Sequence, residues 1–567
     1  MTRVLGVEGT AWCASAAVFD DGGLAGAETD TGDDAAAGDV RIFSDAYEPD
    51  SGGIHPREAA EHMRSAVPEM VEAAIAVVES THGPASEALD AVAFSRGPGL
   101  GPCLRIAATA ARALAGALEV PLVGVNHMVA HLEVGRHFAG FSDPVCLNAS
   151  GANAHVLGHH DGRYRVLGET MDTGIGNAID KFTRHVGWSH PGGPKVEREA
   201  ASGEYVELPY VVKGMDFSFS GITSAAKAAV DDGTPVADVC CGLQETTFAM
   251  LTEVGERALS LTGGDELVLG GGVGQNDRLR DMLATMCEGR GASFYAPEPR
   301  FLRDNAGMIA ILGARMYEAG DTLAIEDSTV LPNYRPDQVP VTWRADESVS
   351  VGDPRRFRDD EAGERRTEVM GAEATVSLDP VAGRVTKRRV PKAYRHPGLD
   401  RRLRQERTVL EARLTSLARR TGVPTPVLFE VDPDDGVLVF EYVGDRDLRA
   451  VVGDGASGSA ADRVRTVGEH LARLHDAGFV HGDPTTRNVR VDGDRVYLID
   501  FGLGYHTDHV EDFAMDLHVF DGSLGGTADD PETLRAAFEE GYAAEGDQAV
   551  LDQLRAVEDR GRYRERT

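Results

Sequence analysis

The chain has 567 residues, 42% of them hydrophobic, with 92 acidic against 57 basic side chains and a formal charge of −35. One hydrophobic core stops growing at about 250 to 300 residues, so a single domain is excluded, and this apolar content excludes a disordered chain. A surface this acidic repels polyanions and resembles adaptation to the salt-rich cytoplasm of a halophilic archaeon, where screening cuts the self-repulsion to a few Å.

Met1-Thr-Arg-Val-Leu-Gly-Val-Glu8 leads straight into a strand, without the charged and apolar regions of a signal peptide. No apolar stretch approaches the roughly 18 residues of a membrane span. Six cysteines form no C-x-x-C pair, which predicts neither a zinc knuckle nor a disulfide framework. These features predict a soluble chain in the reducing cytoplasm, with no membrane partner. Only six of the basic residues are Lys, and Lys181, Lys195, Lys227, Lys387 and Lys392 all fall in motif-like segments, where a compact ammonium does what Arg cannot.

From Val4 to about Asn333, short apolar runs (Val4 to Val7, Ala91 to Phe94, Leu122 to Val125, Glu266 to Leu269) alternate with Ala-rich helical stretches such as Ile106 to Leu118, an α/β pattern. Residues 335–367 are charged and aperiodic and read as a linker, giving domains at 1–334 and 368–567. Beyond it, Glu373 to Val376 and Arg384 to Lys387 read as paired strands, and Asp400 to Arg420 as a helix with Leu403, Leu410, Leu414 and Leu417 on one face. The Asp/Gly/Ala-rich stretches 30–39 and 453–461 read as surface loops.

His127 and His131 follow the strand ending at Val125, with Asn126 as helix N-cap, so the i, i+4 spacing puts both imidazoles on one helical face. Two such rings suit a divalent transition metal; on a surface helix they would do nothing. A zinc protease needs Glu after the first His, and Met128 stands there, so the glycoprotein metallopeptidase reading is disfavoured. Glycine-rich turns at strand ends surround the pair: Gly6 to Thr10, Arg96 to Arg105, Ser150-Gly151, Pro191 to Pro194 and Gly270 to Asn276. One such turn is weak evidence, but five in one α/β segment point to a nucleotide site.

Gly-Val-Glu-Gly-Thr, Ser-Arg-Gly-Pro-Gly-Leu-Gly-Pro-Cys-Leu-Arg, Asn-His-Met-Val-Ala-His, Ala-Ile-Asp180-Lys-Phe, Pro-Gly-Gly-Pro-Lys, Phe-Ser-Phe-Ser-Gly and Arg303-Asp304-Asn305-Ala-Gly occur in order. Together they resemble the tRNA threonylcarbamoyladenosine transferase family, the catalytic subunit of the KEOPS complex, over residues 4 to about 334. The resemblance implies two actin/sugar-kinase-like (ASKHA) lobes and transfer from threonylcarbamoyl-AMP to N6 of the adenosine 3′ of the anticodon in tRNA. It implies that His127, His131 and Asp304 hold one divalent metal, iron by the family pattern. It also implies that Asn148, Ala149, Ser150, Gly151, Ala152, Asp180, Gly193, Glu197 and Asn276 grip the acyl-adenylate. The family's Tyr-Val-Ser-Gly-Gly-Asn-Thr appears here as Asn148-Ala-Ser-Gly-Ala-Asn-Ala154. Asn148, at the position of a tyrosine ligand, either coordinates through its carbonyl oxygen, cedes the place to water, or has no ligand role.

In the last fifth, His481-Gly-Asp483, Asn488 and Asp500-Phe-Gly502 keep kinase spacing. Asp483 suits a catalytic base, Asn488 and Asp500 a magnesium site for ATP, and Lys387 the α/β-phosphates, with Glu406 as its expected ion-pair partner. No G-x-G-x-x-G precedes Lys387 and no A-P-E follows Asp500. Val385 to Asp400 and His481 to Asn488 resemble the small atypical kinase subunit of KEOPS, a small protein-kinase-like α+β domain, with Pro484 and Arg487 where the family usually has Leu and Ser. The resemblance implies ATPase or Ser/Thr kinase activity, and partners in the small dimerising and kinase-activating subunits. Arg560, Arg562, Arg564 and Arg566 form the densest basic cluster, suited to tRNA phosphates or simply a solvated helix end. A nucleotide-switched chromatin or nucleic-acid scaffold is the non-enzymatic alternative.

Overall fold

The computed structural model describes residues 1–22, 40–47, 55–151, 153–160, 162–345, 367–370, 373–453, 458–525, 528 and 530–562. The expected loop 30–39, most of 346–367, Ala152, Arg564 and Arg566 lie outside the described residues, as does part of 453–461. Two compact units are present, Met1–Pro354 with Ala393–Arg395, and Arg355–Lys392 with His396–Thr567.

The first unit holds two five-stranded sheets. In one, β1 (Arg3–Glu8), β2 (Cys13–Asp20), β3 (Val40–Ala46), β4 (Ala91–Gly97) and β5 (Leu122–Asn126) lie in the order β3-β2-β1-β4-β5. Strands β1 to β3 are an antiparallel meander, and β4 and β5 run parallel to β1. In the other, β6 (Val145–Ala149), β7 (Ala154–His160) and β8 (Arg163–Glu169) form the meander; a short ribbon, β9 (Val212–Lys213) and β10 (Asp216–Phe217), intervenes, and β11 (Glu266–Gly270) and β12 (Ser293–Tyr295) run parallel to β6. Its order β12-β11-β6-β7-β8 is the first connectivity repeated, the duplicated lobe of an ASKHA fold.

The parallel strands are buried apolar runs, as sheets covered on both faces require. Helices Pro56–His82 and Gly101–Leu118 contribute Met63, Val67, Cys103 and Ala107 to the core against the first sheet, and Val236–Thr262 buries Leu243, Phe248 and Leu251 against the second. The helix expected from Ile106 starts five residues earlier, because Pro102 in its first turn suits a helix start and Leu100 takes the N-cap. Residues 335–344, expected as linker, pack on this unit: Val339 is buried, Val341 and Trp343 join its core, and Arg344 pairs with Asp143 at 3.0 Å. Three apolar residues scattered among charges were enough to dock the segment.

The second unit begins with an antiparallel sheet of β13 (Thr367–Met370), β14 (Ala374–Asp379), β15 (Arg384–Arg389), β16 (Leu428–Asp432) and β17 (Val437–Glu441), ordered β13-β14-β15-β17-β16, with helix Pro397–Arg420 beside it. That helix starts at Pro397, with His396 capping Gly398, and buries Leu399, Leu403, Leu414 and Ala418. Helices Gly458–Asp476, Val510–Gly525, Pro531–Glu545 and Gln548–Arg562 follow, with short strands β18 (Arg446–Asp447), β19 (Phe479–Val480), β20 (Val489–Asp492), β21 (Arg495–Leu498) and β22 (Tyr505–His506) carrying the second motif set. Among the described residues, no helix is long and apolar enough to cross a membrane.

Candidate active sites

In the first unit, Glu8 ends β1, His127 follows β5, Asn148 lies near the end of β6 and Gly270 ends β11. All four sit at carboxyl ends of strands, where open α/β sheets gather their ligands. Asn126 accepts from Met128 N at 3.0 Å and Val129 N at 3.1 Å, the expected N-cap, and starts the helix His127–Ala139 with both histidines on one side.

His127 Nε2 lies 3.3 Å and His131 Nε2 3.7 Å from Asp304 Oδ1, and the three ligand atoms fall within 4.8 Å of one another. The imidazole rings stand edge to face, 4.9 Å apart. Glu8, fully buried, contacts His127 Nδ1 at 3.2 Å and turns back to Thr10 N at 2.7 Å. Burial pulls the His127 imidazole down, but Glu8 and then Asp304 outweigh it and push it up to about 10. Burial likewise acts to raise Asp304, yet His127 holds it well below the usual carboxylate range. His131 is lowered, chiefly by burial. A proton on His127 therefore occupies the charge between two carboxylates that a metal cation would take over. Two imidazoles, a carboxylate and the unpartnered buried Nδ1 of His131 suit a divalent transition metal. Met128 packs against the core, so the residue that follows His127 is not the glutamate of the metallopeptidase motif.

Ser150, Gly151, Asp180, Gly193, Glu197 and Asn276, among the expected acyl-adenylate residues, lie on segments joined by hydrogen bonds. Asn177 N donates to Gly151 O at 2.9 Å and Ser150 closes its own turn with Asn153, while the same helix, Ile175–His185, carries Asp180. Asp180 Oδ1 accepts from Gly192 N at 2.9 Å, next to Gly193 at the start of helix Gly193–Ala200, and its Oδ2 lies 3.1 Å from His190. Glu197 on that helix accepts from Asp277 N at 2.9 Å, and Asn276 caps helix Asp277–Arg290 while donating to Gln244 at 3.2 Å. Gly271, at φ +85°, is a required glycine: a Cβ there would meet Ala149 O at 2.3 Å and Asn148 Oδ1 at 2.5 Å.

Asn148 is buried, and its Nδ2 lies 3.4 Å from His155 Nε2. Burial, then His131 and His127, bring His155 down to about 3, so its ring is neutral. Glu8 and His155 were not singled out from the sequence. The signal for Glu8 was a carboxylate inside an apolar strand; His155 faces Asn148 only through the register of β6 against β7.

In the second unit, β15 turns Lys387 and Arg389 to one buried face. Lys387 Nζ is 2.8 Å from Glu411 Oε1 and 2.6 Å from Asp500 Oδ1, and Arg389 holds the other Glu411 oxygen at 2.7 Å. The partner of Lys387 is thus Glu411, not Glu406. Both sit on one helix, but five residues is about 140° of turn, which leaves Glu406 exposed and puts Glu411 inside at 1% exposure. Burial acts to lower Lys387, but Asp500 and Glu411 raise it, and Lys387 in turn outweighs burial to lower Asp500. Asp500 follows β21 at φ +64°, an uncommon backbone for a residue with a side chain, and its carboxylate is 44% exposed.

Asn488 Nδ2 donates to Asp483 Oδ2 and to its carbonyl, each at 2.9 Å, so the expected base and magnesium residues touch. Asp516, also not read from the sequence, accepts from His481 N and Gly482 N, both at 2.8 Å, and pins the loop from inside. Gly482, at φ +85°, leaves no room for a Cβ against Leu503 O. Helix Val510–Gly525 starts eight residues after Gly502, too soon for a peptide-binding platform. Arg560 and Arg562 lie at the end of helix Gln548–Arg562.

Comparison with known proteins matches a family to each unit. Residues 39–311 match the family model described as tRNA N6-adenosine threonylcarbamoyltransferase, and residues 476–557 match the phosphotransferase enzyme family. Domains of these two kinds use a metal and ATP. A protein of Natronomonas pharaonis is 70% identical, covering 99% of this chain and 100% of its own; one of Halobacterium salinarum is 66% identical, covering 99% of each. One of Methanoculleus marisnigri is 49% identical over 99% of this chain and 98% of its own. All three carry the name of a bifunctional tRNA threonylcarbamoyladenosine biosynthesis protein. Matched end to end by such relatives, with tRNA as the substrate of its first domain, the chain belongs to the bifunctional tRNA threonylcarbamoyladenosine biosynthesis family.

Proposed function

We propose that the first unit transfers the threonylcarbamoyl group from threonylcarbamoyl-AMP to N6 of the adenosine 3′ of the anticodon in tRNAs reading A-starting codons, releasing AMP. The second unit binds ATP with magnesium and supports this step as an ATPase or Ser/Thr kinase. The setting is the cytoplasm, in a KEOPS complex whose small dimerising and kinase-activating subunits are separate chains. The observation that carries the reading is the His127, His131 and Asp304 triad beside the linked segments from Ser150 to Asn276.

The reaction forms a bond between N6 and the carbamoyl carbon, breaks the bond from that carbon to the phosphate oxygen, sends the electron pair away with AMP, and releases one N6 proton to water. A divalent metal held by His127, His131 and Asp304, ferrous iron by the family pattern, supplies Lewis-acid polarisation of the carbonyl when bound. Glu8 fixes the orientation of His127 from behind, as an outer carboxylate does for a ligating imidazole. Asp180, Gly193, Glu197 and Asn276 fix the helix starts whose backbone N–H groups suit the adenylate phosphate and ribose. In the second unit, Asp500 and Asn488 would hold magnesium, which would neutralise charge on the ATP phosphates, Lys387 suits the α/β-phosphates, and Asn488 also keeps Asp483 aligned with the attacking hydroxyl or water. Arg560 and Arg562, with the Arg564 and Arg566 that follow, add phosphate contacts for tRNA.

The test is to incubate the full chain, in molar KCl with its partner subunits, with unmodified tRNA, threonylcarbamoyl-AMP and ferrous iron, and to assay threonylcarbamoyladenosine by nucleoside mass spectrometry. Product that disappears on chelation is expected. Bound nucleotide without product under any divalent metal would favour the scaffold reading instead.

A further inference from the structure

Residues 334–344 reach the histidine helix, His127–Ala139, at two places. At its start, Asn126 commits its whole amide: Oδ1 accepts from Met128 N and Val129 N, and Nδ2 donates to Tyr334 O at 3.0 Å. The two helix N–H groups only donate and the Tyr334 carbonyl only accepts, so the amide has one orientation and Tyr334 O fixes the cap.

The second place is Glu133, at 3% exposure and two residues beyond His131, which puts it about 200° around the helix from that histidine. Its carboxylate accepts from the Tyr164 hydroxyl on β8 and from Arg136 Nε at 3.0 Å. The Trp343 ring lies near-parallel to Tyr164, at 25° with centroids 6.3 Å apart. Arg344, buried beside it, anchors the end of the segment by donating to Ser142 O at 2.9 Å and Asp143 Oδ1 at 3.0 Å. The backbone N–H groups of Ser142 and Asp143 are in turn held by Glu266 of β11. Between the two ends, Val339 and Val341 share one apolar cluster with Val129, Leu132 and Val134 of the helix.

Apolar contacts have no direction, so on their own they leave a helix free to slide or turn slightly. Hydrogen bonds at the cap and at Glu133 are directional, and together they fix both the height and the rotation of this one. They act at its start and on the side away from the histidines.

We propose that residues 334–344 brace the metal site: Tyr334 O, through Asn126, and Trp343, through Tyr164 and Glu133, are positioning groups that present His127 and His131 to Asp304. This rests on reading those three residues as metal ligands. The metal-binding unit therefore runs on to Arg344, past the boundary that composition places at 334.

The experiment is cobalt(II) equilibrium dialysis of the full chain in molar KCl, with the visible absorption of the saturated protein and urea unfolding of the metal-free protein. Trp343→Ala and Tyr164→Phe are each expected to weaken cobalt binding by about 10-fold, with unchanged band positions because the ligands are the same. Trp343→Phe, which keeps a ring against Tyr164, is expected to bind like wild type. Leu283→Ala, in a different apolar cluster of the same unit, is the control: it is expected to lower the urea midpoint and leave cobalt affinity alone. Wild-type affinity in folded Trp343→Ala or Tyr164→Phe, or an equal loss of affinity in Leu283→Ala, would overturn the proposal. Failure of the metal reading is separate: then wild type binds no cobalt, or His131→Ala binds it as tightly.

Discussion

The two sites treat buried charge in opposite ways. In the second unit the charges close on one another: Lys387 is held by Glu411 and Asp500, and Arg389 by Glu411 and Glu373, although Arg389 Nε has no partner among the described residues. In the first unit the carboxylates share one imidazolium, and polar atoms of His131, Asn148 and His155 remain unpartnered. A self-neutralised site contributes to stability, and a ligand must open it; a site with unused polar atoms gives up stability for a ligand that completes it. Substitutions should therefore unfold the second unit and, in the first, mainly empty the site.

The sharpest test of that contrast is Glu411→Gln. Removing one carboxylate that serves two buried cations leaves them uncompensated, and breaking such a pair costs about 3 kcal/mol or more, while Glu406→Gln on the exposed face stays within about 0.5 kcal/mol. Urea titration at fixed KCl measures both, and equal effects would break the comparison. Gly271→Ala comes next: a side chain at φ +85° costs about 1 to 3 kcal/mol and crowds Asn148, so metal binding falls further than stability. Asn126→Ala removes the cap of the histidine helix and costs about 1 kcal/mol by the same titration, with a smaller loss of metal affinity.

The smallest effect concerns pH. Burial, then Arg473, lowers His470 in the second unit to about 4. Its folded-state value lies below the unfolded one, so the unfolded chain takes up the proton first and stability is lost as pH falls from about 6.5 toward about 4. His470→Phe should move the acid unfolding midpoint to lower pH; an unchanged midpoint would refute the assignment.

What could be read from the sequence follows the same division. The strands ending at Glu8, Asn126 and Gly270, the capped histidine pair and the Asp483, Asn488 and Asp500 set are local patterns, and their spacing carries through to the structure. Glu411 was not legible, because choosing between two glutamates on one helix needs the phase of that helix against β15. Asp516 acts across packing that brings distant segments together, and no short-range pattern marks it, while His155 meets Asn148 only through the register of the β6–β7 hairpin. The docking of 335–344 turned on three apolar residues in a charged stretch, too few to register as periodic.

The central claim, one chain with two separable active sites, is tested most directly by measuring threonylcarbamoyladenosine and ATP turnover side by side in His131→Ala and Asp483→Ala. We expect His131→Ala to lose the modified nucleoside while keeping ATP turnover. Asp483→Ala should lose ATP turnover by about 100-fold or more, with modification reduced but present. Modified nucleoside at the wild-type level in His131→Ala would contradict the account.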